Sequence, residues 1–139
     1  MKILLPILTI FACLSFAGPE ISYKEAIEGN KRNDKPILLE FYADWCIPCI
    51  EMEKTVFKDP TVIKELKNNF HFVRLNTEKQ EQIFCEGETL PILDCVELWE
   101  IPGIPTFALL DKDGSLRHIA TGTFDKKTFL NFLKVIRKK

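Results

Sequence analysis

Cys46 and Cys49 enclose Ile47 and Pro48, a few residues past an apolar stretch that ends at Tyr42. Two thiols at this spacing can hold a metal such as zinc, or they can exchange a disulfide. The pattern that follows them favours exchange. Cys49, Met52 and Val56 fall at i, i+3 and i+7, so a helix is predicted to begin inside the motif and run to about Lys58. The first thiol then stands at a helix N-terminus, beside N–H groups without intrahelical partners and the positive end of the dipole. Both favour the thiolate, the species that attacks disulfides. Cys46 is therefore the predicted nucleophile, and Cys49, one turn further in, the thiol that resolves the mixed disulfide. Pro48 has no N–H to lose in a first helical turn. Zinc ribbons carry a second close cysteine pair, whereas Cys85 and Cys95 are ten apart, and no metal or cofactor is expected.

Two carboxylates could assist. Glu40 interrupts the apolar run Ile37–Tyr42 six residues before Cys46, an unfavourable place for a charge unless it is paired, neutralised or reached by water. Glu53 lies four residues after Cys49, on the same helix face and one turn away. Its charge would raise the pKa of Cys49; the plainer reading is a solvated side chain. His71 and His118 lie in strand-like stretches with no third ligand in view. Asp44 reads as a solvated rim residue and Trp45 as packing beside the motif.

These residues need a frame. Tyr23 to Arg32 reads as a short helix, and Ile37–Tyr42 as a strand buried on both faces. Asp59-Pro60 reads as an N-cap with proline in the first turn of a further helix. Phe70–Leu75 reads as a strand, and residues 77–100 as less regular, with a short helix over Asp94–Glu100. Thr106–Leu110 and Leu116–Ala120 flank a turn in which Gly114 can take positive φ. Phe129, Phe132, Leu133 and Ile136 form one stripe of a closing helix behind Asp125 as its N-cap. A crossover unit, then a hairpin and a last helix, give an α/β architecture with a central mixed β-sheet flanked by helices.

The 139 residues, 46% apolar and 28% charged, suit one globular domain over residues 18–139. A net charge of −1 without a basic cluster gives no footprint for nucleic acid. Lys2 precedes an apolar run to Ala17 that is short for a bilayer span. Residues 1–17 read as a secretory signal cleaved after Ala17, with lipid attachment at Cys13 as the variant. Export places the chain in the periplasm or another extracytoplasmic space, with no stable membrane insertion after cleavage. Four cysteines then remain, with three possible pairings.

Phe41-Tyr42-Ala43-Asp44-Trp45-Cys46-Ile47-Pro48-Cys49, with Gly103-Ile104-Pro105-Thr106 downstream, resembles the thioredoxin superfamily. The further residues Glu51, Glu53-Lys54, Phe57 and Asp59-Pro60 are most similar to the C-terminal periplasmic domain of the DsbD-type thiol:disulfide interchange proteins. The resemblance spans roughly residues 23–138. It implies a thioredoxin fold and a thiol–disulfide oxidoreductase, with reduction as the direction and oxidase or isomerase work as the alternative. It also implies a cis Pro105 facing the motif, an Ile104 backbone that pairs with an extended substrate, and a docking surface shaped by Trp45. Glu40 would match the buried acid that passes protons to the resolving thiol, and Glu53 an acid beside it. Its partners would be protein thiols and disulfides, with a membrane electron donor. A non-enzymatic binding or metal-holding module of the same fold is the competing class.

The chain departs from the family between Asn76 and Pro105, where an insertion around residues 77–97 carries Cys85 and Cys95. A Cys85–Cys95 structural disulfide would steady that insertion by roughly 2–3 kcal/mol in loop-entropy models. A second redox pair is the alternative.

Overall fold

The computed structural model describes residues 18–33, 35–111 and 113–138; the predicted signal segment and Cys13 lie outside them. Short polar signals open the helices. Ser22 and Glu25 form a reciprocal capping box at the start of α1 (Tyr23–Arg32). Asp59 accepts from the N–H groups of Thr61 and Val62 at the start of α3 (Pro60–Asn69), and Asp125 accepts from Thr128 at the start of α5 (Lys126–Arg137). Between α1 and α3 lie β1 (Ile37–Tyr42) and α2 (Ile47–Thr55).

The main sheet has the order β2-β1-β5-β6, with β2 (His71–Asn76), β5 (Thr106–Leu110) and β6 (Leu116–Thr121). β1 pairs parallel with β2 and antiparallel with β5, which pairs antiparallel with β6. The sheet is mixed, and β1 is central and buried, as its apolar run predicts. Alternate residues of β1 feed two cores. Ile37, Leu39 and Phe41 join α1 and residues 83–99 on one face, while Leu38 faces Phe57, Phe107 and Phe129 on the other. Glu40 shares the parity of Leu38. Gly114 takes φ 81°, and a Cβ there would stand 2.6 Å from the Phe84 ring.

Four readings shift. α2 ends at Thr55 rather than near Lys58, because residues 56–58 turn to meet the cap of α3. β2 begins at His71 rather than Phe70, whose N–H closes the last turn of α3 on Leu66. The segment read as irregular is a hairpin, β3 (Gln82–Cys85) and β4 (Glu88–Pro91), joined by Glu86 and Gly87 at φ 50° and 87°. Two successive positive φ angles match the twist of the strands they join. The short helix α4 spans Ile92–Leu98 rather than Asp94–Glu100; it starts right after Pro91 and stops before Glu100, which takes φ 51°.

The hairpin is fastened at three points. The Tyr23 hydroxyl donates to the Phe84 carbonyl (2.5 Å) and accepts from its N–H (3.1 Å). A Glu86 carboxylate oxygen accepts from the Trp99 indole (2.9 Å) and the Leu116 N–H (2.8 Å). Third, Cys85 is bonded to Cys95 on α4.

Candidate active site

β1 ends at Tyr42, and a tight turn in which Cys46 N–H donates to the Ala43 carbonyl delivers the chain into α2. Cys46 is the N-cap of that helix, and its sulfur accepts from the Cys49 N–H at 3.3 Å. Pro48 occupies the first turn, where no donor is lost. Cys46 and Cys49 are bonded to each other and pack with Ala43 in a small cluster edged by Tyr42 and Ile104. Their neighbours Trp45 and Ile47 are 66% and 77% exposed. The pair therefore lies just under a surface that offers apolar side chains to solvent.

The Ile104–Pro105 peptide bond is cis, as the resemblance implies, and Ile104 packs against the cysteine cluster. The Pro105 carbonyl accepts from Gly122 N–H and the Thr106 hydroxyl donates to the Gly103 carbonyl, which fixes the loop on both sides of the proline.

Glu40 is fully buried. The parallel register sets it opposite Arg74 on β2, and the Arg74 Nε–H donates to its carboxylate at 2.5 Å. Arg74 also reaches Glu53 on α2, Nη1 to Oε2 at 3.2 Å. Its guanidinium lies over the Tyr42 ring at 4.3 Å and the Phe57 ring at 5.3 Å. One arginine thus bridges a buried and a half-exposed acid. Burial pushes the Glu40 carboxyl up to about 7, against the pull of Arg74 and with a smaller push from Glu53. Burial also works against the charge of Arg74, but the two carboxylates outweigh it and raise its pKa. Tyr42 is raised by burial, which Arg74 partly offsets. One oxygen of Glu40 and one terminal nitrogen of Arg74 have no hydrogen-bond partner within the protein.

Glu53, half-exposed on α2, is ion-paired with Arg74, a contact that the sequence reading did not include. Trp45, read from sequence as packing beside the motif, is largely exposed, and its indole N–H donates to Glu78 at 3.0 Å. Arg74 and Glu78 are the residues that sequence reasoning missed. A lone arginine among Phe72, Val73 and Leu75 was the available signal, but its pairing with Glu40 depends on register. Cys85 and Cys95, both fully buried, lie in the core on the α1 side of the sheet, away from the Cys46–Cys49 cluster.

His71 meets Asn33 at 2.9 Å and His118 lies against Phe132. Among the described residues no group of three or more His, Cys, Asp or Glu stands together as a metal site, and no helix is long and apolar enough to cross a membrane.

The family described as a thioredoxin-like domain matches residues 23–137. The thioredoxin-like protein HCF164 of rice is 36% identical over 111 residues, covering 78% of this chain and 35% of that protein. The thiol:disulfide interchange protein DsbD of Pseudomonas fluorescens is 34% identical over 107 residues, covering 76% of this chain and 17% of DsbD. This chain thus spans about a third or less of either relative's length. Among solved structures, the oxidised C-terminal domain of Neisseria meningitidis DsbD has a TM-score of 0.63 at 23% identity. That likeness covers 81% of this chain and 90% of that one, and it bears on the fold alone.

Proposed function

The chain belongs to the thioredoxin-like domain family and carries the CxxC pair of a thiol–disulfide oxidoreductase, and on that premise we propose that it reduces disulfides of exported proteins outside the cytoplasm. The observation that carries this reading is the place of Cys46: it caps α2, receives the Cys49 N–H and has exposed apolar neighbours. A sulfur so placed is favoured as thiolate once the pair is reduced.

The Cys46 thiolate attacks a partner disulfide, forming a Cys46–partner bond and releasing one partner thiolate. The Cys49 thiol gives its proton to the Glu40 carboxylate, and its sulfur attacks that of Cys46. The Cys46–Cys49 bond forms, and the second partner sulfur leaves. Glu40 returns the proton to bulk water, from which the leaving thiolates are protonated. Two electrons have passed to the partner, and a dithiol donor at the membrane restores the centre by the reverse exchange. A carboxyl held near neutrality accepts and returns a proton with little bias, which suits Glu40 to this role. The Ile104 backbone, beside the cis Pro105, would align the partner segment.

Residues 1–17, basic at Lys2 and then apolar, support export through a cleaved signal. Replacing Cys49 by Ala should leave mixed disulfides on Cys46, identifiable by mass spectrometry after diagonal electrophoresis. Insulin reduction undiminished in Cys46→Ser would refute the reading. Captured partners that were trapped in the reduced-to-oxidised direction would reverse it.

A further inference from the structure

The insertion does more than lengthen the chain, because it builds a second concave surface against the active-site rim. A cleft of about 650 Å³ runs between residues 77–82 and the start of α4, with Thr77, Glu78, Glu81, Ile92, Leu93 and Asp94 on its walls. Its floor is apolar and fixed: Ile92 is buried, and its N–H donates to the Glu81 carbonyl at 3.0 Å. Its wall is apolar and free, since Leu93 is 60% exposed. Two of the cleft's lining residues are bonded to the segment that leads into the cysteine motif. Thr77 N–H and hydroxyl both donate to the Tyr42 carbonyl at the end of β1, and Glu78 holds the Trp45 indole.

Charge indicates what would fit. Residues 77–100 carry seven carboxylates, all on exposed residues, and a single lysine, while the whole chain is net −1. Glu78, Glu81 and Asp94 line the cleft against the one cation there, Lys79. An acidic segment would meet like charges there. A segment with one apolar side chain between basic ones would seat the first on Leu93 and the others against the carboxylates.

We propose that this cleft is a specificity subsite of the same exchange reaction, receiving a basic, apolar-centred polypeptide flank next to the partner's reacting cysteine. It rests on the oxidoreductase reading for the source of the flank, but its binding can be measured without turnover. The probe is a pair of fluorescent peptides in which serine replaces the cysteine, one flanked by Lys-Leu-Lys and the other by Glu-Leu-Glu. Binding to the full chain is followed by anisotropy at low and high salt. We expect the basic peptide to bind at least about tenfold tighter at low salt, with the margin shrinking at high salt. Glu81→Lys/Asp94→Lys should erase or invert that margin, and Leu93→Ser should weaken the basic peptide alone. Retained reduction of a small disulfide such as oxidised glutathione would show the exchange centre intact in each variant. Equal binding of the two peptides, or a margin unchanged in Glu81→Lys/Asp94→Lys, overturns the subsite. Loss of glutathione reduction in the unaltered chain would count against the oxidoreductase reading alone, because the anisotropy result still decides the subsite.

Discussion

The two disulfides have nearly the same solvent exposure, 2% and 1% for Cys46 and Cys49 and 0% for Cys85 and Cys95, yet they stand in opposite settings. Cys46 follows the tight turn after β1 and caps α2, where unpaired N–H groups and a dipole stabilise a thiolate and exposed Trp45 and Ile47 flank it. Cys85 and Cys95 join a hairpin to α4 in the apolar core that holds Ile83, Ile92 and Phe41. Burial in such a core disfavours a thiolate. Exposure of the cysteine residue is therefore a poor guide to reactivity; the backbone and the neighbours decide.

Removing each pair in turn should break this comparison most visibly. Cys46→Ser should lower turnover of a protein disulfide by on the order of a thousandfold, close to 4 kcal/mol of barrier, read from insulin reduction. Cys85→Ala/Cys95→Ala should keep turnover within about twofold and lose roughly 2–4 kcal/mol of stability, read from the urea midpoint. The comparison fails if the second variant loses turnover at unchanged stability.

Glu40, fully buried in the strand that leads to the Cys46–Cys49 motif, sharpens it. Its folded pKa is raised from 4.5 to about 7. Between those values the folded chain keeps a proton that the unfolded chain has released. The stabilisation is thus complete below about pH 4.5 and lost as pH rises through about 7. Urea midpoints should fall across that window by the equivalent of about 3 kcal/mol, and Glu40→Gln should flatten the fall. An identical slope in the glutamine variant would remove Glu40 from the account.

The smallest effect belongs to Glu53. Its half-exposed pair with Arg74 should contribute under about 1 kcal/mol, so Glu53→Gln should barely change stability. It should lower the Glu40 titration point, since a carboxylate that disfavours the Glu40 charge is gone. A carboxyl carbon chemical-shift titration measures this, and an upward move would be inconsistent with the bridge.

Local signals were legible because they act within a few residues. The buried run of β1, the helix starting inside the CxxC motif, the Asp59-Pro60 and Asp125 caps and the turn at Gly114 all follow from spacing and backbone chemistry. The β3–β4 hairpin was not, because its strands are four residues long and its turn is Glu-Gly rather than the asparagine-glycine pair that marks such turns most strongly. Helix ends moved by two or three residues where neighbouring caps competed.

The sequence by itself determined the reactive motif, the order of the main elements and the presence of an acid in the central strand, since each is written in residues close together. Only the tertiary structure decided that Arg74 bridges Glu40 and Glu53, that Cys85 meets Cys95, and that Glu78 holds Trp45. Those pairs are separated by 34 and 21, by 10, and by 33 positions. Such contacts depend on parallel register and on which face of the sheet each segment covers, and both are fixed only when the two cores close.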